Sequence, residues 1–144
     1  NKAKAKERTV EEKTILIIRD AELAALHKRP AKGLLAGMYE FPSMKGYHTA
    51  EEVKEYLAEN GLQVLRIQPL EDAKHIFSHR EWHMKGYLIR VDELAPKREG
   101  PDSADWIYIE PSETREKYPI PSAFAVYAKG LNMKLGAREN DPGQ

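Results

Sequence analysis

The run Thr14-Ile15-Leu16-Ile17-Ile18-Arg19 is the strongest constraint on what this chain can fold into. Four consecutive aliphatic residues, three of them β-branched, have the stiffness and length of a buried strand. Asp20-Ala21-Glu22 supplies a turn into Leu23-Ala24-Ala25-Leu26-His27-Lys28, so the spacing predicts a hairpin near the start. From Trp82 the sequence alternates: Trp82, Met84 and Leu88 point one way and His83, Lys85 and Tyr87 the other, the pattern of a half-buried strand. Shorter strands are expected over 39–42, ended by Pro42, over 62–67, over 70–79, and over 105–109. One helix is well marked. Thr49-Ala50-Glu51-Glu52 is a capping box, Val53, Tyr56 and Leu57 share a face, and Gly61 stands where a C-terminal cap belongs. Prolines open a short helix over 111–117 and a longer one over 121–129. Strands outnumber helices in irregular order, which predicts an α+β fold: a mixed or antiparallel sheet packed against a few α-helices.

A length of 144 residues suits one domain. Residues 13–131 are expected to form it, between a linker or arm over 1–12 and a disordered tail over 132–144. The arm and the missing initiator Met lead us to expect a chain cut from something longer, and its size alone suggests a monomer. No apolar run approaches the roughly 20 residues that cross a bilayer, and Asn1-Lys2-Ala3-Lys4 lacks the apolar centre of a signal peptide, so no membrane partner is expected. With no cysteine, the chain has no ligands of its own for a thiolate zinc site or an iron–sulfur cluster. Its 23 basic and 23 acidic residues cancel, so any nucleic-acid contact must rest on a local patch.

Such a patch exists. Between Lys74 and Arg90, four basic residues (Lys74, Arg80, Lys85, Arg90) face one acid, Glu81, for a net +3, whereas residues 92–116 carry eight acids against three bases, a net −5. The basic stretch contains His75-Ile76-Phe77-Ser78-His79-Arg80-Glu81-Trp82-His83. On a helix the three histidines would share a face and invite a metal. The alternation from Trp82 instead implies a turn at 78–81 that places His75 and His83 on paired strands, and no metal site is expected there. Ser78-His79 lacks a third, carboxylate member for nucleophilic catalysis. A hairpin tip bearing an aromatic ring, a hydroxyl and an imidazole can instead touch DNA, with Phe77 beside a base step and Ser78 and His79 on polar atoms. Glu55 and Glu59, one helical turn apart, could hold a divalent ion but read more simply as exposed charges. The apolar loop 29–38, broken by Pro30, Gly33 and Gly37, is the surface for a weaker third reading, protein docking through Leu34 to Met38.

Lys32-Gly33-Leu34-Leu35-Ala36-Gly37-Met38-Tyr39-Glu40-Phe41-Pro42, followed by His75-Ile76-Phe77-Ser78-His79 and Trp82 and then by Pro121-Ser122-Ala123-Phe124, closely resembles the C-terminal domain of MutY-type adenine DNA glycosylases from about Arg8 to Asn132. Tyr39 stands where that family often has Trp. The resemblance implies a Nudix-like fold and a role in DNA repair: recognition of 8-oxoguanine opposite adenine by the loop matching Phe77, Ser78 and His79, with Lys74 and Arg80 near phosphate on charge alone. It implies that adenine excision belongs to a preceding catalytic domain with an iron–sulfur cluster, which these residues do not include. It further implies duplex DNA and that catalytic domain as partners, and a bacterial cytoplasmic location. No catalytic residue, metal or cofactor is expected in the chain itself.

The alternative is a Nudix-type hydrolase of an oxidised nucleotide or another nucleoside diphosphate. Its signature ends Arg-Glu-apolar-x-Glu-Glu-x-Gly-apolar, and the matching residues here run Lys54-Glu55-Tyr56-Leu57-Ala58-Glu59-Asn60-Gly61-Leu62. Glu55, Glu59 and Gly61 are in register, but Ala58 replaces the middle Glu, and the first Gly and first Glu would fall on Glu40 and Gly46. The carboxylate set that a pyrophosphatase needs is incomplete, so independent hydrolase activity is not expected.

Overall fold

The computed structural model describes residues 8–94, 106–114 and 117–128. Its eight strands are β1 (Thr9–Arg19), β2 (Ala24–Lys28), β3 (Tyr39–Glu40), β4 (Ser43–Lys45), β5 (Val64–Pro69), β6 (Ala73–Ile76), β7 (Arg80–Val91) and β8 (Trp106–Ile109). They join in one sheet ordered β3-β2-β1-β7-β5, with β4 also on β1, β6 on β7 and β8 on β2. The long strands β1 and β7 lie side by side and parallel, in unbroken register from Thr9 opposite Arg80 to Arg19 opposite Arg90. The other pairings are antiparallel, so the sheet is mixed.

The aliphatic run needs cover on both faces, and gets it. Ile15 and Ile17 pack with Trp82, Met84, Phe41, Phe124 and Tyr127 on one side. Leu16 and Ile18 pack with Tyr87, Ile89, Val91 and the buried Val53 and Leu57 of the helix α1 (Ala50–Glu59) on the other. A central parallel pair buried on both faces explains why β1 reads as a continuous apolar run rather than an alternating one. The same geometry corrects the reading of β7. Its first half does alternate with Trp82 and Met84 inward, but after Gly86 the buried side changes: Tyr87, Ile89 and Val91 are buried on the α1 side while Arg90 is exposed on the other, and the Tyr87 hydroxyl donates to the His48 carbonyl at 2.8 Å.

Gly86 is the closest approach of the second layer. A Cβ there would sit 2.5 Å from the Tyr127 ring, so only glycine lets that ring lie on the sheet. The Tyr127 hydroxyl donates to the Glu71 carbonyl at 2.9 Å. Burial, then the nearby Asp72 and Glu71, push it up to about 12.

The α1 caps are as the sequence predicts. Thr49 Oγ1 accepts from the Glu52 amide (3.2 Å) and Glu52 Oε1 accepts from the Thr49 amide (3.0 Å). At the other end Gly61 has φ +83°, and its amide and that of Leu62 close on the Ala58 and Leu57 carbonyls. Thr49→Ala should cost about 1 kcal/mol, read as a lower urea midpoint at unchanged slope.

Several boundaries differ from expectation. Residues 9–12, assigned to an arm, form the start of β1, because β7 extends far enough to pair with them. The expected strand over 62–67 is displaced to Val64–Pro69, and that over 70–79 is confined to Ala73–Ile76. A short strand, β4, was not expected. The expected helix over 111–117 is a 3-10 turn at Pro111–Thr114, and that over 121–129 starts as a 3-10 turn at Ser122–Phe124 and continues helically to residue 128. The tail over 132–144 and residues 1–7, 95–105, 115–116 and 129–131 lie outside the described residues.

Candidate nucleic-acid interface

β6 and β7 form an antiparallel hairpin in which Lys74 faces His83, His75 faces Trp82 and Ile76 faces Glu81. The Phe77 amide donates to the Arg80 carbonyl at 2.8 Å, leaving Ser78 and His79 as the two tip residues. The turn therefore spans 77–80, one residue earlier than the spacing suggested. His75 lies opposite Trp82 and His83 opposite Lys74, so their rings project to opposite faces and cannot share a metal ion. Among the described residues no three His, Asp or Glu side chains converge as metal ligands.

Phe77 is half-buried, and its ring meets His75 edge-on at 4.7 Å between centroids and Trp82 at 4.9 Å. Trp82 is 1% exposed, tilted against Phe124 at 5.5 Å, with Lys13 Nζ 4.0 Å and the Arg29 guanidinium carbon 5.4 Å from its ring centre. The tip is thus tied by an aromatic chain to the core. Each such pair is worth about 0.5–1.5 kcal/mol beyond burial, so Phe77 is held as an anchor with only part of its ring facing outward.

Ser78 and His79 are exposed, and neither side chain has a hydrogen-bond partner among the described residues. The His79 carbonyl is used, accepting from the Thr9 amide at 3.2 Å, which pins the tip to the first residue of β1. Lys74 is exposed beside Glu81. Arg80 is exposed but paired, its Nη1 3.0 Å from Glu11 Oε2. An exposed pair of this kind is worth about 0–1 kcal/mol, so Arg80 can exchange it for a phosphate at little cost. Hydrogen bonds from His83 (3.0 Å) and Arg8 (3.2 Å) hold the Glu81 carboxyl below its ordinary value.

Sequence reasoning missed a second polar group, under the apolar loop. Glu40 is 7% exposed and receives Arg29 Nη1 at 2.8 Å and His27 Nδ1 at 3.0 Å. Burial pushes its carboxyl up, but these two hydrogen bonds, with Arg29 and Lys13 nearby, outweigh it and hold the value below the usual carboxylate range. Arg29 Nε also donates to the Leu34 carbonyl at 3.1 Å, seating Leu34 and Leu35 on the core. The apolar loop is therefore partly packed inward. The grouping depends on the register that sets His27 opposite Glu40 across β2 and β3.

The Nudix-signature positions can now be placed. Glu55, Ala58 and Glu59 are exposed on α1, Glu40 is committed to Arg29 and His27, and Gly46 (φ +82°) makes a turn whose amide donates to the Glu12 carbonyl. The fold and the sequence agree on the lineage: residues 14–129 match the NUDIX domain family. The chain belongs to that family. Within it, this NUDIX domain is 34% identical over 93 residues to mouse adenine DNA glycosylase, a match covering 59% of this chain but 18% of that protein. The chain thus corresponds to under a fifth of that relative's length. The C-terminal domain of mouse MUTYH, solved in complex with human PCNA, superposes with a TM-score of 0.65 at 21% identity, over 87% of this chain and 90% of that one. A MutT structure from work on Aliivibrio salmonicida and Vibrio cholerae gives 0.60 at 19% identity, over 88% and 99%. The Nudix-like α+β fold and the resemblance to the adenine glycosylase C-terminal domain both stand.

Proposed function

We propose that this NUDIX domain serves DNA repair as the lesion-recognition domain of an adenine DNA glycosylase, reading 8-oxoguanine opposite adenine while excision is performed by a catalytic domain elsewhere in the parent protein. The observation that carries the reading is the hairpin tip: a hydroxyl and an imidazole exposed without partners among the described residues, on a turn anchored through Phe77 to the buried Trp82. Recognition by hydrogen bonding is favoured when the groups are unpartnered beforehand and carried on a restrained backbone, and this turn is held by the Thr9 amide and by the Phe77 ring contacts.

The chemistry of the lesion fits that pair. Oxidation turns guanine N7 from an acceptor into an N–H donor and adds a carbonyl at C8. The Ser78 oxygen can accept from N7–H, and a hydroxyl or backbone N–H beside it can donate to the new carbonyl. Ordinary guanine sets acceptor against acceptor until the hydroxyl rotates. Phe77 stacks at the base step with the outward part of its ring, His79 adds a polar contact, and Lys74 and Arg80 meet phosphate.

In this reading α1 is scaffold rather than a metal-binding helix, since Ala58 and Gly46 withhold two carboxylates from the hydrolase set. The mouse relative's structure with PCNA supports a sliding clamp as a protein partner of the parent enzyme. Ser78→Ala in the parent glycosylase should reduce the preference for 8-oxoguanine over guanine by about 1–3 kcal/mol, roughly 5- to 150-fold, with adenine excision itself retained. Single-turnover rates on the two duplexes measure this; an unchanged ratio would remove Ser78 from the recognition role.

A further inference from the structure

At the far end of the sheet from the hairpin tip, three arginines stand side by side. Arg19 ends β1, Arg90 lies beside it on β7, and Arg66 of β5 lies opposite Arg90. Neighbours in register share a face, so the three guanidiniums converge over one patch. They line a cavity of about 340 Å³ together with Asp20, Gln68 and Leu88. Ten residues of β7 at about 3.3 Å each separate Arg80 from Arg90, so this patch is about 33 Å from the tip.

We propose that Arg19, Arg66 and Arg90 form a binding site for a phosphate-type oxyanion. Three observations carry it. Like charges facing each other across adjacent strands are unfavourable, so the row is costly without a counter-ion. The one carboxylate lining the cavity, Asp20, offsets one of the three positive charges at most, and its oxygens are held by backbone amides rather than by the guanidiniums: Oδ1 accepts from the Glu22 (2.8 Å) and Leu23 (2.7 Å) amides, and Oδ2 from the Leu94 amide (3.1 Å). Arg19, only 8% exposed, has its Nη1 buried with no hydrogen-bond partner among the described residues. A guanidinium with an unused buried N–H at the end of a row, followed by two exposed ones, is the donor set that a tetrahedral phosphate accepts. Burial and the adjacent Arg90 push the Arg19 guanidinium below its ordinary range against the pull of Asp20, which agrees with a cation short of negative charge.

The site does not depend on the lesion reading, and one titration separates the two. The chain is followed by NMR at its arginine Nε–Hε groups while sodium phosphate replaces sodium chloride at constant ionic strength. Saturable shifts at Arg19, Arg66 and Arg90, weakened at least tenfold in the double variant Arg66→Gln/Arg90→Gln with its backbone spectrum otherwise preserved, are expected. Shifts no different from those in chloride, or an affinity unchanged in the double variant, would overturn the site. Adding duplex DNA then identifies the source: phosphate displaced from the three arginines assigns the site to the nucleic-acid backbone, and phosphate retained assigns it to a free phosphorylated ligand.

Discussion

Trp82→Ala is expected to lower the unfolding free energy by about 3–5 kcal/mol, and the melting temperature by about 10–20 °C on the scaling for a domain of this size. The indole fills the space between the hairpin and the C-terminal residues: it touches Phe77 and Phe124 and carries Lys13 over its face. Removing it leaves a cavity that neither β7 nor Phe124 can close without moving the sheet. It also removes the anchor of Phe77, so amide exchange at residues 77–80 should rise more than the loss of global stability accounts for. Trp82→Phe separates the causes. The buried indole N–H has no hydrogen-bond partner among the described residues, a cost of about 1–3 kcal/mol that phenylalanine relieves. The Phe variant should therefore lose far less than the Ala variant. Equal losses would mean that the indole's polar atom, rather than its volume, is what the site needs.

Glu40→Gln should be the second most damaging change, at about 3 kcal/mol near neutral pH. It leaves Arg29 and Lys13, both largely withdrawn from water, without their shared carboxylate, and breaking a buried ion pair from one side costs about 3–5 kcal/mol; His27, a third exposed, moderates it. The pH dependence follows from the direction of the shift. Glu40 is held below its unfolded value of 4.5, so its contribution is complete above about that pH and is lost as pH falls through the lower folded value. Urea midpoints of the native chain and the Gln variant, measured from pH 7 down to 3, should converge at the acidic end. A constant gap would show that the loss comes from packing rather than charge.

Much of the frame was legible because it rests on local rules. The capped helix was readable from Thr49, Glu52 and Gly61, since caps are satisfied within a few residues. The first hairpin was readable from Asp20, whose carboxylate closes its own turn. What escaped depends on long-range pairing. Residues 9–12 look like a solvated arm until β7 is beside them, and Tyr87 looks like an outward polar-face residue until α1 covers it. The tip Ser78-His79 was legible as a turn in a basic stretch, but the restraint on Phe77 by His75 and Trp82 was not, because it needs the register of β6 on β7. The Glu40 group and the arginine row share that origin: each joins residues from separate strands whose charges look ordinary in sequence.

The proposed role requires that this domain distinguish an oxidised guanine through residues 77–79. NMR titration of the chain with two short duplexes, differing only in 8-oxoguanine or guanine opposite adenine, tests it directly and tolerates weak binding. The expected shifts are concentrated at residues 75–82 and are larger with the lesion duplex, an excess that shrinks in the Ser78→Ala variant. Identical shifts with both duplexes would contradict it and leave the hairpin, at most, a contact for phosphate.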